Sequence, residues 1–397
     1  MRIAHLADAH LGFRQFGRLA PDGMNQREAD VAEAFRSAVD ALIARAPDAV
    51  VIAGDLFHSV RPTNRSIIEA FNQLSRLRRE LPEVPVLLIA GNHDTPRSSE
   101  VGSILRLLGN LGVDVVDDRT RRIDYPALGL CVCAVPHAAL ATEGRRDWHP
   151  YPNARYNVLV MHPEIAEVFG NAAHADYGGI RLEAVELRAH EWSYVALGHY
   201  HVMTDVASMA WYAGSLEYTS PNIWSERQEE ERLGKAKGFL IADLASGTVE
   251  KVLLAGGGRR AIHDLPQLDA SGMTAAELDA AILGRVHGVA GGLSGTVTRL
   301  VVENVPRSLA HGLDHAALRE LRAEALHFHL DLRRPAPVSR TVGLGAPGGG
   351  TRRTMPEVVA AYLGGRPLDA DLPRERFVGL GRGYVERVEQ EQTEGSA

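Results

Sequence analysis

Ala49-Val-Val-Ile-Ala-Gly-Asp-Leu-Phe-His58 begins as five apolar residues and ends on a glycine, an acid and an imidazole. An unbroken apolar run this short reads as a strand buried on both faces. Amphipathic stretches flank it. Gln26–Arg45 places Val31, Phe35, Val39 and Leu42 at helical spacing, and Asn64–Glu80 places Ile67, Phe71 and Leu74 on one face with Asn64 as its cap. Arg2–Ala7 and Pro85–Ala90 repeat the apolar run on either side, and a helix is expected near Ser99–Leu108. Strand, helix, strand repetition argues for an α/β core with parallel neighbours. Later strands are expected at Gly129–Val135, Asn157–Met161, Tyr194–Leu197, Gly238–Asp243 and Thr248–Leu253, and their closer spacing suggests a second sheet.

The chain has 397 residues, enough for two or three domains. This first pattern occupies residues 1–255. Composition shifts at Gly256-Gly-Gly-Arg-Arg260, and a smaller α/β pattern follows over 256–340: helix Thr274–Val286, strand Thr296–Glu303, helix Asp314–Ala325, strand Leu326–Leu332. Residues 341–354 contain Gly343-Leu-Gly-Ala-Pro-Gly-Gly-Gly350 and read as a flexible linker. Residues 355–397 are helical in pattern, with an apolar stripe at Phe377, Leu380, Tyr384 and Val388. Charged residues are 23% and apolar ones 45%, which excludes a largely disordered chain. No apolar run reaches the ~18 residues that span a bilayer, so no membrane partner is expected. The opening residues carry acid and histidine too early for a secretory signal. Cys131 and Cys133 cannot build a disulfide framework and read as small apolar side chains on a strand, which suits a reducing cytoplasm. The net charge of −7 argues against nucleic acid as a partner of the surface as a whole, because phosphate favours basic faces.

The 17 histidines point elsewhere. Asp8-Ala-His10, Gly54-Asp55, Gly91-Asn-His-Asp94, His162 and Gly198-His-Tyr-His201 stand out, and each follows an expected strand directly. Strand carboxyl ends are where open α/β sheets bind ligands. The glycines before Asp55 and Asn92 allow tight turns there. Carboxylate, imidazole and amide donors without thiolate suit a borderline divalent ion such as manganese, iron or zinc, and disfavour a structural zinc site. Asp8, His10, Asp55, Asn92, His162, His199 and His201 are too many for one tetrahedral ion and suit two ions ~3.5–4 Å apart sharing a carboxylate.

Asp-x-His, Gly-Asp, Gly-Asn-His-Asp, His and Gly-His-x-His in this order resemble the calcineurin-like metallophosphoesterase family. Leu6-Ala-Asp-Ala-His-Leu-Gly12, Ala53-Gly-Asp-Leu-Phe-His58 with Arg61-Pro62, and Tyr212-Ala-Gly-Ser-Leu-Glu217 resemble its SbcD-type DNA repair exonucleases. The motif resemblance covers roughly residues 1–255. It implies a two-sheet sandwich flanked by helices, a small α/β capping domain, and a helical tail that docks on an SbcC-like coiled-coil ATPase. It implies that Asp8, His10 and His201 hold one metal, that Asn92, His162 and His199 hold the other, and that Asp55 bridges both. His93 would meet the scissile phosphate and protonate the leaving oxygen. His58 would be a second phosphate-facing imidazole, and Asp94 would either orient His93 or cap the next helix. Two divalent ions, manganese foremost, would draw the phosphodiester and lower the pKa of a water. Four positive charges would then meet the two carboxylates of Asp8 and Asp55, so the local field at the site is positive although the chain is acidic. The resemblance also implies a homodimer. One departure is Pro163-Glu164 after His162, where a small or polar residue is more usual.

The implied activity is a metal-dependent DNA exonuclease and single-strand endonuclease in double-strand-break repair. No helix-turn-helix or zinc finger accompanies it, so DNA binding should be independent of sequence. The same centre would serve a phosphatase or a cyclic-nucleotide phosphodiesterase; the Asp-Leu-Phe-His wording and the extra ~140 residues argue against both. An inert DNA- or ATPase-binding scaffold has no chemical reason to keep all seven donors. Three weaker signals accompany these. Leu326-His-Phe-His-Leu-Asp-Leu332 alternates, with a polar face of His327, His329 and Asp331. Glu226–Lys237 is a mixed charge run that reads as a solvated loop or short helix. Arg121-Arg122, Arg145-Arg146, Arg259-Arg260 and Arg352-Arg353 are scattered basic pairs.

Overall fold

A computed structural model of the chain describes residues 1–96, 98, 102–143, 148–169, 179–234, 236–254, 260–335, 354–369 and 372–394. They divide into two compact units, Met1–Arg259 and Arg260–Ala397.

In the first unit the chain runs β1 (Arg2–Leu6), α1 (Gln26–Arg45), β2 (Ala49–Ile52), α2 (Asn64–Glu80), β3 (Val86–Ile89) and β4 (Asp114–Val116). These four strands are parallel neighbours in that order. Leu6 pairs with Ile52 and Ile52 with Leu88, so the strands end level with one another. The helices form where the apolar spacing places them. Asn25 caps α1 by accepting from the Arg27 and Glu28 amides, a contact typically worth ~1 kcal/mol. Val31, Phe35, Val39 and Leu42 of α1 pack with Ala4 and Leu6 of β1 in one apolar layer. Fully burying a side chain such as Phe35 stabilises by ~1.5–3 kcal/mol.

The second sheet contains β5 (Arg121–Tyr125), β6 (Leu130–Val135), β7 (Tyr156–Met161), β10 (Tyr194–Leu197), β11 (Thr204–Ala207) and β12 (Ala210–Tyr212), in the order β11-β12-β10-β7-β6-β5. The short pair β8 (Glu164–Ile165) and β9 (Arg181–Leu182) and the helices α3 (His137–Thr142) and α4 (Ala166–Phe169) lie between these strands in the chain. Ile3 of β1 and Ala7 just after it face this sheet and share a core with Val132, Val158 and Tyr194. Between them His5 places Nδ1 2.9 Å from the Tyr194 hydroxyl. The chain thus forms the expected two-sheet sandwich.

Four expectations need correction. Thr63, not Asn64, caps α2, its hydroxyl accepting from the Ser66 amide. After α5 (Ile223–Leu233), β13 (Gly238–Asp243) and β14 (Thr248–Leu253) do not join the second sheet. They return as an antiparallel hairpin to the open side of β1. The helix expected near Ser99–Leu108 is a 3-10 helix over Ile104–Leu111, capped by Ser103; residues 99–101 lie outside the described residues. The charge run Glu226–Lys237 is not wholly solvated, for Glu226, Glu230 and Lys237 are buried.

The second unit has β15 (Ile262–Asp269), α6 (Ala275–His287), β16 (Val297–Glu303), α7 (Arg307–His311), α8 (His315–Glu324) and β17 (His327–Leu332), with the three strands parallel. Leu278 and Ile282 of α6 and Leu318 and Leu321 of α8 cover Leu300, Val302 and Phe328. Then come α9 (Met355–Gly365) and α10 (Arg374–Glu394). On them Tyr362, Leu380 and Tyr384 stay 57%, 64% and 67% exposed. Residues 256–259 of the composition shift and 341–353 of the expected linker lie outside the described residues.

Candidate metal centre

The level strand ends converge. Asp8 and His10 follow β1, Asp55 follows β2, Asn92 follows β3, His162 follows β7, and His199 and His201 follow β10. Met161 pairs with Leu197, which brings the last three to one edge of the second sheet. The two edges are stitched by His162, whose Nδ1–H donates to the Ala53 carbonyl at 2.7 Å.

All seven expected donors meet. His10 Nε2 lies 3.0 Å from His201 Nε2, and both group with a carboxylate oxygen of Asp8. Asn92 Oδ1 is 3.1 Å from His162 Nε2 and 3.1 Å from His199 Nδ1. Asp55 stands between these halves, its Oδ2 3.7 Å from His10 Nε2 and 3.3 Å from His162 Nε2. Two imidazole lone-pair positions face each other at hydrogen-bond distance, and two buried carboxylates sit among them. That donor set fits cations, because buried anions otherwise require a partner charge. The groups Asp8–His10–His201 and Asp8–Asp55–His162 each bring their donor atoms within 4.8 Å of one another.

The backbone is bent to achieve this. Asp8, His10, Asp55 and His199 have φ of 51°, 48°, 52° and 98°, a region L residues rarely enter. Each such residue costs on the order of 1–3 kcal/mol and persists only where its surroundings over-determine it. Here they do: Asp8 N–H donates to the Gly54 carbonyl, His10 N–H to the Asp55 carbonyl, and His199 N–H to the Asp8 carboxylate. The motif glycines have separate reasons. Gly54 combines φ +94° with a Cβ position 2.4 Å from His162 Nδ1. Gly91 has no positive φ; a Cβ there would meet Asp55 Oδ1 at 2.1 Å, so its role is close approach and not the expected turn.

Electrostatics follow from burial and neighbours. Burial works to lower the His162 imidazole, but the Asp55 and Asp8 carboxylates carry it up to about 9. The Asp55 carboxyl in turn lies well below its usual range, drawn down by His162 despite the opposing effect of burial. Burial raises Asp8 to about 6 against the pull of His162 and His201. Burial, with His162 nearby, depresses His199 to about 3, and burial holds His10 well below its usual value.

His93 and His58 stand beside the centre. His93 N–H donates to Asp55 Oδ1 at 2.9 Å, and its Nδ1 is 2.8 Å from the His58 carbonyl. The two rings stack with centroids 5.2 Å apart, and His58 Nδ1 lies 3.4 Å from His10 Nδ1. Asp94 takes neither expected place. Its carboxylate accepts the Leu56, Phe57 and Gly91 amides at 3.1, 3.0 and 3.3 Å, stapling the Asp55 loop to the Asn92 loop, while Ser103 caps the next helix. Burial and the Asp55 charge push Asp94 up to about 7.

A cleft of about 1320 Å³ opens from Asn92 and His93, with His58, Arg61, Arg106 and His137 in its walls. His137 was missed in the sequence, although it follows β6 as the other site residues follow their strands. Burial, then His162, lowers it to about 4. Of the weaker signals, His327 and His329 lie 6.1 Å apart on the polar face of β17 and join no metal-binding group among the described residues. Arg122 stacks on Tyr151; Arg145-Arg146, Arg259 and Arg352-Arg353 lie outside the described residues.

Residues 1–203 match the calcineurin-like phosphoesterase family. The chain is 27% identical over 256 residues to the DNA double-strand break repair protein Mre11 of Thermoplasma acidophilum, covering 62% of this chain and 63% of that one. It is 31% identical over 217 residues to the protein of that name from Archaeoglobus fulgidus, covering 51% of this chain and 46% of the relative. The match therefore spans less than two thirds of these relatives' length. A dimetal phosphatase from Danio rerio superposes with a TM-score of 0.34 at 13% identity, over 61% of this chain and 92% of that one. No described helix is long and apolar enough to cross a membrane.

Proposed function

The chain belongs to the calcineurin-like phosphoesterase family, and on that premise we propose that it is a two-metal DNA nuclease, exonuclease and single-strand endonuclease, that acts in double-strand-break repair. The observation that carries this reading is Asp55 placed between two donor groups, next to the Asn92 and His93 that line an imidazole-bearing cleft. The similarity to the archaeal break-repair proteins supports DNA as substrate.

In this reading Asp8, His10, Asp55 and His201 hold one ion, and Asp55, Asn92, His162 and His199 the other. Manganese suits the mixture of oxygen and imidazole donors without thiolate. Bound there, the ions supply Lewis-acid charge to the phosphodiester and lower the pKa of a water. The residues do the rest. His93, its Nδ1–H engaged by the His58 carbonyl, would give a proton carried on Nε2 to the leaving oxygen and regain one from solvent. His58 lines the cleft next to it and steadies the phosphate. Asp94 keeps Asp55 and Asn92 in register through three backbone amides. No base-reading module accompanies the site, so the DNA contact is independent of sequence. The second unit supplies the capping domain. The exposed stripe on α9 and α10 is the docking surface for an SbcC-like coiled-coil ATPase, and the working form is a cytoplasmic homodimer.

The test uses the full chain with manganese and end-labelled single-stranded and duplex DNA, alongside p-nitrophenyl phosphate and a cyclic nucleotide. Release of nucleotides from DNA supports the proposal. Hydrolysis of the small esters alone refutes it in favour of a phosphatase or cyclic-nucleotide phosphodiesterase.

A further inference from the structure

We propose that Glu226, anchored by Lys237, is a positioning residue that orients the His201 imidazole with Nε2 turned into the metal centre. The inference rests on the reading of His201 as an ion ligand.

His201 uses Nε2 to face His10 and Asp8, so Nδ1 is the nitrogen that points away. On that side stands Glu226, its Oε2 4.0 Å from Nδ1, with both side chains buried. A ligating imidazole almost always finds an acceptor for its second nitrogen, and that acceptor fixes tautomer and ring orientation. The same arrangement recurs in this centre: His162 has the Ala53 carbonyl at 2.7 Å from Nδ1, and His10 has His58 Nδ1 at 3.4 Å from its own. The Glu226 gap is wider than a hydrogen bond. Both side chains are buried, so the field of the carboxylate is weakly screened and favours the tautomer with the proton on Nδ1.

Lys237 ties the two ends of this arrangement together. It is fully buried, and its ammonium donates to the His201 carbonyl at 2.8 Å, to Ser215 Oγ at 2.9 Å, and to Glu226. It also lies 3.0 Å from Glu230. One cation therefore holds both the backbone of His201 and the acid facing its ring. Lys237 is held against Glu226 Oε1, and Ser220 Oγ–H donates at 2.6 Å to Oε2, the oxygen that faces His201. The network thus links β10's end, α5 and the start of β13. A buried ion pair is weak as a source of stability, because apolar residues of similar volume often serve as well. Its value here is in position.

Calorimetric titration of the metal-stripped full chain with manganese tests this. The wild type should take up two ions. Glu226→Gln should weaken one of them by ~10–100-fold, the usual effect of losing an outer partner, and leave the other unchanged. Glu230→Gln removes a contact of Lys237 and the Tyr218 hydroxyl partner but no charge facing His201, so both ions should bind it as they bind wild type. Undiminished binding of both ions by Glu226→Gln, or equal weakening in Glu230→Gln, overturns the inference and leaves the metal reading intact. A wild-type chain that takes up no ion overturns both. Should Glu226→Gln fail to fold, nitrogen NMR of the metal-free wild type decides: a proton on His201 Nδ1 is expected, and a proton on Nε2 overturns the proposal.

Discussion

The strand-end centre and the C-terminal helix pair use side chains in opposite ways. At the centre, polar groups from separate parts of the chain meet: Asp94 serves three amides, Lys237 four groups, and Asp55 lies among His10, His93 and His162. On α9 and α10, Tyr362, Leu380 and Tyr384 remain mostly exposed. The first region is over-determined by its own chain, which is what four residues in left-handed backbone require. The second leaves apolar area uncovered, which is what an interaction surface requires. Substitutions should therefore act on chemistry and folding in the first region, and on association in the second.

The largest effect is expected at His93. His93→Ala should lower kcat for DNA by ~10²–10⁴-fold, the usual contribution of a positioned acid, with the ion stoichiometry unchanged. Steady-state kinetics with metal analysis of the same sample checks this, and wild-type activity would remove His93 from the mechanism. Next comes Asp94→Ala. It leaves three buried amides without their acceptor, at ~1–3 kcal/mol each, so a loss of about 3 kcal/mol or more is expected in denaturant unfolding. A loss under ~0.5 kcal/mol would show that water replaces the carboxylate.

His5 gives a smaller, pH-dependent effect between the sheets. Burial, opposed by a hydrogen bond to the Leu197 backbone, lowers its pKa from 6.5 to about 3. The unfolded chain then binds the proton that the folded one refuses, so stability is fully present above pH 6.5 and declines below it, by ~1.4 kcal/mol per unit, down to about pH 3. His5→Gln should remove this share of the slope when Tm is compared at pH 7 and pH 5; an unchanged slope assigns it to other groups. The smallest effect on stability is expected in the tail. Tyr384→Asp should change unfolding by less than ~0.5 kcal/mol, as exposed substitutions do, while abolishing copurification with a coiled-coil ATPase. A large drop in Tm would mean that the stripe serves its own fold.

Much of the centre was legible in the sequence because its chemistry is local. Asp8, Asp55, Asn92, His162 and His199 each lie within a few residues of an apolar run, and a strand end is recognisable from such a run alone. What escaped is what depends on partners far along the chain. β13 and β14 could be recognised as strands, but not that β13 pairs with β1, since that pairing spans more than 230 residues, from Arg2 to Asp243. Asp94 looked like a partner for the adjacent ring, and its real partners are backbone amides 37 and 38 positions away in the Asp55 loop. Glu226, Glu230 and Lys237 have the composition of a solvated face, and only the third dimension puts a buried cation between two acids. His137 carried a positional signal that a single histidine is too common to make convincing.

The most direct test of the two-ion phosphodiesterase is to count ions and turnover on one preparation. Elemental analysis after manganese loading and desalting should give two ions per wild-type chain together with DNA hydrolysis. Asp55→Ala, which removes the carboxylate between His10 and His162, should lose ions and hydrolysis together. Full hydrolysis by Asp55→Ala, or by wild type stripped of all divalent metal, would contradict the mechanism.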